Sequence, residues 1–527
     1  MSGRRIGPFL ASGTILLILL IPREAAMPWA ELPLHLVELL LLLALICVLG
    51  RAALFLLLPV LLALALLKAA DLVTQAALGR SFNPVTDLAL LDAGRRLLAG
   101  TFGEMAALSL ACGAVVAAIA GGLALGLAVR CWAARPISGA QRSFAAAICA
   151  LVLLPAATAE APIAGNAGYL VAHAAMIRQS LAELRRLREA AATDPHLGRP
   201  GMLGAIDRDV LLIFVESYGR SSFSQPLYAR HIDTLRRAET ALAEAGLAAR
   251  SGFFVSPVQG GQSWLAHATA ANGLRIADQA AYRAVLASPR RGLFHHAAQA
   301  GFRTAAVMPA ITRPWPEAER MGFDRVLAAA DLGYRGKPFD WVTMPDQFTL
   351  TAMDRLLRNG GARPRMMIQI ALISSHAPWT PVPRILAWDL IGDGREFDEM
   401  AESGDPPAVV WRDQDRVRRS YRDALDYALQ AVTGYVLRHA AEAPLVLILG
   451  DHPAAPHIAL KQGREVPLHV IGPHTLVERT AAWGLAPGLI PPPDAPSRPL
   501  EQLRDLILGG FDGESCSAVE QREAKNC

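Results

Sequence analysis

Through the first third of the chain apolar residues run almost unbroken; beyond it, short apolar runs alternate with stretches of helical periodicity. Residues 8–21, 32–50, 52–70, 102–129 and 143–164 are each apolar over lengths near the ~20 residues a helix needs to span a hydrocarbon core. The first stretch is the shortest, and its head with Arg4 and Arg5 resembles a signal peptide. No small-residue cleavage site ends it and four further spans follow, so it reads as a retained helix. Residues 169–191 set Leu170, Val171, Ala174, Ile177, Leu181, Leu184 and Leu187 on one helical face and Arg178, Arg185, Arg186 and Arg188 on the other. Such a helix lies at a lipid interface or against the domain that follows. Gly198, Pro200 and Gly201 then mark a linker over 195–204.

From Asp209 onward, strands are predicted at 210–215, 304–308, 366–373, 445–449 and 468–471, separated by helical patterns. Near-continuous apolar strands of this kind form a largely parallel sheet covered by helices on both faces. The predicted architecture is an α-helical transmembrane bundle of five spans (1–166), an amphipathic helix and linker (167–204), an α/β catalytic domain (205–510) and a polar tail (511–527). The irregular, charge-rich stretch 385–419 reads as a substrate-facing insertion.

Charge then sets orientation. Arg4, Arg5, Arg51, Arg130, Arg135 and Arg142 fall on one side of the spans, while the 22–31 loop carries only Arg23 against two glutamates. In the 71–101 loop, Arg80, Arg95 and Arg96 are offset by Asp71, Asp87 and Asp92. An inside N-terminus and five crossings place the catalytic domain on the periplasmic side of a bacterial-type inner membrane; an even count, with one helix re-entrant, places it in the cytosol. The net charge of +4 over 527 residues, with no dense basic patch, argues against nucleic-acid binding. Cys47, Cys112, Cys131 and Cys149 lie in or beside spans, and Cys516 and Cys527 in the tail either close a disulfide or stay free.

In an α/β sheet, chemistry gathers at the carboxyl ends of the strands. Glu216 directly follows the first strand in Val215-Glu216-Ser217-Tyr218-Gly219, and Asp451 and His452 follow another in Gly450-Asp451-His452. Two carboxylates and one imidazole make a first shell for a divalent ion, although each acid alone also suits a helix cap. Ser263, in Gly260-Gly261-Gln262-Ser263-Trp264, falls where a helix begins. Position alone makes it an N-cap; beside a metal it becomes a nucleophile whose incoming anion meets the helix N-terminus.

Together these residues resemble the alkaline phosphatase and sulfatase superfamily, in its membrane-bound branch of lipoteichoic acid synthases and related phosphoglycerol transferases. The resemblance runs over about residues 205–475. It rests on VESYG, the Gly-rich turn before Ser263, GFRTAAVM followed by Trp315 and GFD, Ser375-His376-Ala377-Pro378, and DYALQAV leading to LILGDH. It implies an alkaline-phosphatase-like domain, with Glu216, Asp451, His452 and Ser263 as metal ligands. It also implies Ser263 as nucleophile, where that branch usually has threonine, and His376 in contact with the substrate phosphate or leaving group. One divalent metal follows, Mn²⁺ foremost, with Zn²⁺ or Mg²⁺ as alternatives. Where the branch has a histidine and an Arg-bearing segment for glycerol phosphate, this chain has Pro309-Ala310 and Pro314-Trp315-Pro316-Glu317. That departure leaves Arg313, Thr312 and Trp315 as candidate substrate contacts. Ser263 is followed by Trp-Leu-Ala-His, which lacks the Pro and Arg of formylglycine sulfatases.

The expected activity is a membrane-integral transferase moving a phosphoglycerol-like head group from a membrane phospholipid to an envelope glycan or lipid. The alternatives are a phosphoethanolamine transferase, a phosphodiesterase or sulfatase-like hydrolase, and an inactive sensor. His267, one helical turn after Ser263, is either a proton shuttle or substrate contact, or a structural pocket histidine. His457, His469 and His474 are weighed as second-metal ligands and left outside the core site.

Overall fold

A computed structural model of the chain describes residues 3–22, 31–78, 80–88, 91, 94–95, 103–158, 165–340, 342–359 and 363–513. Cys516 and Cys527 therefore lie outside the described residues. The chain forms two compact units, residues 1–185 and 186–527.

The first unit is helical: α1 (Gly3–Leu19), α2 (Leu32–Leu49), α3 (Ala53–Leu78), α4 (Glu104–Ala133), α5 (Gly139–Thr158) and most of α6 (Gly165–Ala191). Ile15, Ile46, Leu61, Leu64, Leu125 and Val129 form its core. Among the described residues, two helical runs are long and apolar enough to cross a membrane, Leu32–Gln75 and Glu104–Ala133, which corrects the expected five. The apolar part of α1, Gly7–Leu19, reaches only about 20 Å at 1.5 Å per residue, short of a ~30 Å hydrocarbon core. The stretches expected at 32–50 and 52–70 join through a 3-10 turn, Gly50–Ala52, into one run of 44 residues. The end of the fifth expected stretch, 159–164, lies outside the described residues.

Two carboxylates of this unit, those of Asp71 and Glu38, are paired, as an apolar surrounding demands. Asp71 accepts from the Tyr169 hydroxyl at 2.7 Å and the Phe82 N–H at 2.7 Å. Glu38 accepts from the Asn166 backbone and side-chain N–H groups, both at 2.6 Å, and lies 2.9 Å from His35 Nδ1.

The second unit is built on one nine-stranded sheet: β1 (Val210–Val215), β2 (Ala248–Val255), β3 (Arg303–Met308), β4 (Arg325–Ala328), β5 (Met366–Leu372), β6 (Leu445–Gly450), β7 (Glu465–Gly472), β8 (Ala486–Pro487) and β9 (Ser497–Pro499). Their order is β4-β3-β5-β1-β6-β7-β2-β8, with β9 beside β2. From β4 to β6 every pairing is parallel, whereas β6–β7, β7–β2 and β2–β8 are antiparallel. The sheet is thus mostly parallel with an antiparallel flank. The predicted strand at 468–471 belongs to that flank, and β2, β4, β8 and β9 add to the strands foreseen.

Alternation along β1 divides the core. Leu211, Ile213 and Val215 pack on one face with α7 (Ala229–Glu244) and with α9 (Asp346–Met353) and α10 (Gln414–Arg438); Val210, Leu212 and Phe214 pack on the other with α8 (Ser263–Asn272). Burial of each such side chain contributes roughly 1.5–3 kcal/mol, which fixes the strand ends from which the site is built. The stretch expected as a linker is packed: Met202 and Leu203 are buried, and the Ala205 N–H donates to the Phe511 carbonyl at 3.1 Å.

Candidate active site

β1 and β6 are parallel neighbours in a register that places Val215 beside Gly450, so Glu216 and Asp451 leave the sheet side by side. Two glycines let the following turns touch. A Cβ on Gly450 would sit 1.9 Å from the Tyr218 carbonyl oxygen, and one on Gly219 2.7 Å from Pro453 Cβ. Backbone groups then fix the acids: Asp451 Oδ1 accepts from the N–H of Ser217 at 2.9 Å and of His452 at 2.6 Å. The Ser375 hydroxyl donates to the Glu216 carbonyl and the Ser256 hydroxyl to the Asp451 carbonyl, each at 2.6 Å.

Ser263 reaches this cluster from a third direction. Gly260, Gly261 and Gln262 all have positive φ (68°, 125° and 63°), a left-handed turn that ends at the first residue of α8. Gln262 holds the cap position, and Ser263 does not cap its own helix. Its hydroxyl donates to Glu216 Oε2 at 2.9 Å and lies 3.2 Å from His452 Nε2. His452 Nδ1 faces the Pro453 carbonyl at 3.0 Å, an acceptor only, so that nitrogen carries the proton. Nε2 lies 3.2 Å from Glu216 Oε1 and receives the Gly261 N–H at 3.0 Å, the lone-pair form that ligates a cation.

Ligand atoms from Glu216, Asp451 and His452 all lie within 4.8 Å of one another, and all three residues are buried. Burial alone would raise Glu216, but His452 outweighs it and holds the carboxyl well below its usual range. Burial and then the Glu216 charge push Asp451 up to about 8. Burial opposes the charge on His452, yet the facing Asp451 and Glu216 push it up to about 10. The Gly261 contact and these carboxylates thus pull Nε2 toward opposite protonation states. A divalent cation among the oxygens would resolve that conflict in favour of the lone pair, and the donor set of two carboxylates, one imidazole and a hydroxyl fits such an ion.

A cavity of about 480 Å³ opens beside the cluster, and Ser263, Glu216, Asp451, His267, Trp315 and His376 line it. His376 is exposed, with Nδ1 facing the Ala377 carbonyl at 2.6 Å, which leaves Nε2 for the cavity. His267 is buried against Phe214, ring centroids 4.1 Å apart, and burial pushes it down to about 3, so it is neutral. Arg313 and Thr312 are exposed and do not line the cavity, nor does any described residue of the 385–419 stretch. Both nitrogens of His469 are bonded, to the Tyr218 hydroxyl at 2.9 Å and the Ser251 hydroxyl at 2.7 Å. His457 and His474 are not buried, and none of these three histidines joins the acidic cluster.

Several site groups escape the motif reading. Buried Asp346 accepts from the N–H groups of Ile373 at 2.8 Å and Ser374 at 3.0 Å, and so ties down the turn that carries His376; burial pushes it up to about 6. Trp264, Tyr282, Glu317 and Gln369 also line the cavity. Gln369 had a legible signal, as the single polar residue in the strand MMIQIAL.

No protein-family profile and no curated protein matches the chain. Among solved structures it is similar to the lipoteichoic acid synthase LtaP from Listeria monocytogenes, at 12% identity over 55% of this chain and 71% of that one, with a TM-score of 0.34. It is similar to the C-terminal periplasmic domain of EcEptC from Escherichia coli, at 16% identity over 58% and 84%, with a TM-score of 0.36. It is also similar to the Streptococcus pyogenes phosphoglycerol transferase GacH, in complex with sn-glycerol-1-phosphate, at 12% identity over 63% and 90%, with a TM-score of 0.34. The branch that the motifs resemble thus recurs among these structures.

Proposed function

We propose that this chain is a metal-dependent transferase that moves a phospho-head group from a membrane phospholipid to an envelope glycan or lipid through a covalent intermediate on Ser263. The placement of the Ser263 hydroxyl carries the reading: at the first residue of α8 it turns from its own helix to Glu216 at 2.9 Å and His452 at 3.2 Å. Glu216, Asp451 and His452, with the Ser263 oxygen, are the groups that would hold one divalent cation, Mn²⁺ foremost and Zn²⁺ or Mg²⁺ by the same donors. When bound, such a cation stabilises the serine alkoxide and the charge that develops on the phosphoryl oxygens.

The remaining steps belong to the side chains. The N-terminus of α8 receives the phosphate. Ser263 Oγ attacks phosphorus; the Oγ–P bond forms as the bond from phosphorus to the diacylglycerol oxygen breaks, and the serine proton ends on that departing oxygen. His376 Nε2 contacts the phosphoryl group or the leaving oxygen. An acceptor hydroxyl then attacks the phosphoserine, and its proton restores the serine. The two apolar helical runs of the first unit support membrane anchorage, which holds the enzyme where its donor is, and the catalytic unit is proposed to face the extracytoplasmic side.

The test uses the full chain in detergent with Mn²⁺ and a mixture of phospholipids labelled in the head group. Diacylglycerol release, a labelled phosphopeptide containing Ser263, and faster release on adding a glycan acceptor are expected. Ser263→Ala should abolish all three without changing thermal unfolding. Release that persists in Ser263→Ala removes the nucleophile, and release indifferent to acceptor replaces the transferase by a hydrolase.

A further inference from the structure

The rest of the cavity lining differs in kind from the acidic cluster. Among the described residues no lysine or arginine lines the cavity. The rings of Trp264, Tyr282 and Trp315 do, beside that of Phe214, together with the Glu317 carboxylate. The indole N–H groups are already engaged: Trp315 donates to the Tyr282 hydroxyl at 3.3 Å and Trp264 to Gln279 Oε1 at 3.1 Å. These rings therefore offer π faces rather than donors. Glu317 forms no ion pair with any described residue, although it is half-buried. Two further groups on the cavity lining are unpaired: His267 Nε2, on a ring 8% exposed, and both amide atoms of Gln369, 0% exposed. A buried polar atom without a partner is costly, so these groups await a ligand or its hydration water.

π faces, a lone carboxylate and an absence of cationic side chains select for positive charge. A second anionic group on the substrate would find nothing here to balance it. We propose that the head group transferred is an amino-alcohol phosphate, whose ammonium end lies against Trp264, Tyr282, Trp315 and Glu317 while His267 and Gln369 supply the polar lining between ammonium and phosphate. This rests on the reading of Ser263 as the group that takes the phosphoryl. It makes Glu317 and Trp315 specificity residues.

The experiment measures diacylglycerol release by the full chain in detergent with Mn²⁺ from three lipids separately: phosphatidylethanolamine, phosphatidylcholine and phosphatidylglycerol. At least one ammonium lipid should exceed phosphatidylglycerol about tenfold in kcat/KM, and the first two arms show whether the ammonium is primary or trimethylated. Glu317→Gln should raise KM for the preferred ammonium lipid about tenfold with kcat little changed, and raise it less for phosphatidylglycerol, so that the preference narrows; Trp315→Leu should narrow the preference in the same direction. Phosphatidylglycerol turned over as fast as the ammonium lipids, or a preference indifferent to Glu317→Gln, overturns this inference while leaving the Ser263 reading intact. Release from no lipid overturns both. Calorimetric titration of the wild-type chain with phosphoethanolamine, phosphocholine and sn-glycerol-1-phosphate in Mn²⁺ gives an independent readout, and tighter binding of glycerol phosphate than of either ammonium compound overturns the proposal.

Discussion

Asp209 stands just before β1 and Glu216 just after it, and both carboxylates are buried, yet the two ends of this strand are built on opposite electrostatic plans. At the first end Asp209 meets Arg358 Nε at 3.0 Å, Arg363 Nη1 at 3.0 Å and the Met366 N–H at 2.8 Å. Burial would raise Asp209, but hydrogen bonds from Arg363, Met366 and Arg358 outweigh it and hold the carboxyl below its usual range. At the second end Glu216 faces a second acid and an imidazole, and Asp451 is pushed up to about 8. Opposite charges buried together are packing; like charges buried together need a ligand. The same strand thus anchors the fold at its start and crowds two acids against one imidazole at its end.

The sharpest way to break that contrast is to remove one member of the acidic end. His452→Ala should weaken Mn²⁺ binding by at least ~100-fold and bring head-group release to background. Thermal unfolding of the metal-free protein should also fall, since His452 is the group that offsets the two facing carboxylates. Calorimetry with Mn²⁺ checks this, and wild-type affinity in the variant would remove His452 from the metal site. Next in size is a change that alters no chemical group of the cluster. Gly450→Ala puts a Cβ 1.9 Å from the Tyr218 carbonyl oxygen, so the β1 and β6 turns must part. A displacement on the order of 1 Å costs up to ~100-fold in kcat. An unaffected kcat in a folded Gly450→Ala variant would show that the close approach of these turns does not set the site.

How much of this was legible in the sequence follows the same physics. Glu216, Asp451 and His452 stood out because strand runs such as VLLIFV and LVLILG mark their own carboxyl ends, where local pattern and tertiary position coincide. Ser263 was ambiguous, because a serine before a helix has a local use, and only the approach of Glu216 across 47 residues decides between cap and nucleophile. The antiparallel flank was hidden: strand periodicity gives the faces of β7 but not its direction, and β2 opens with half-buried Arg250 beside Ala249, a weak apolar signal. The span count differs for another reason: the break at Gly50–Ala52 falls where expected, but the apolar part of α1 is only Gly7–Leu19 and residues 159–164 lie outside the described residues. Asp209 looked like an ordinary charged residue before a strand; Arg358 and Arg363, about 150 positions away, make it structural.

The smallest effect tests the paired end and separates the two ends by pH. Asp209→Asn leaves Arg358 with Asp354 at 2.9 Å and the Tyr435 hydroxyl at 2.6 Å, so the loss should be about 2 kcal/mol rather than the 3–5 kcal/mol of an ion pair left with one bare charge. Activity per folded molecule should not change. Because the folded pKa of Asp209 is depressed, its contribution is fully present above the unfolded value near 3.9 and is lost as pH falls through the folded value. The stability gap between wild type and Asp209→Asn should therefore stay constant from pH 8 to about 5 and close only below about 4. Metal affinity should behave differently, since protons compete for Asp451 and His452 already near neutrality, weakening it by up to about tenfold per pH unit for each proton displaced. Urea unfolding of both proteins and Mn²⁺ titration across that range should show metal lost well before the gap closes. Coincidence of the two transitions would mean that the ends of β1 share one electrostatic balance instead of holding two.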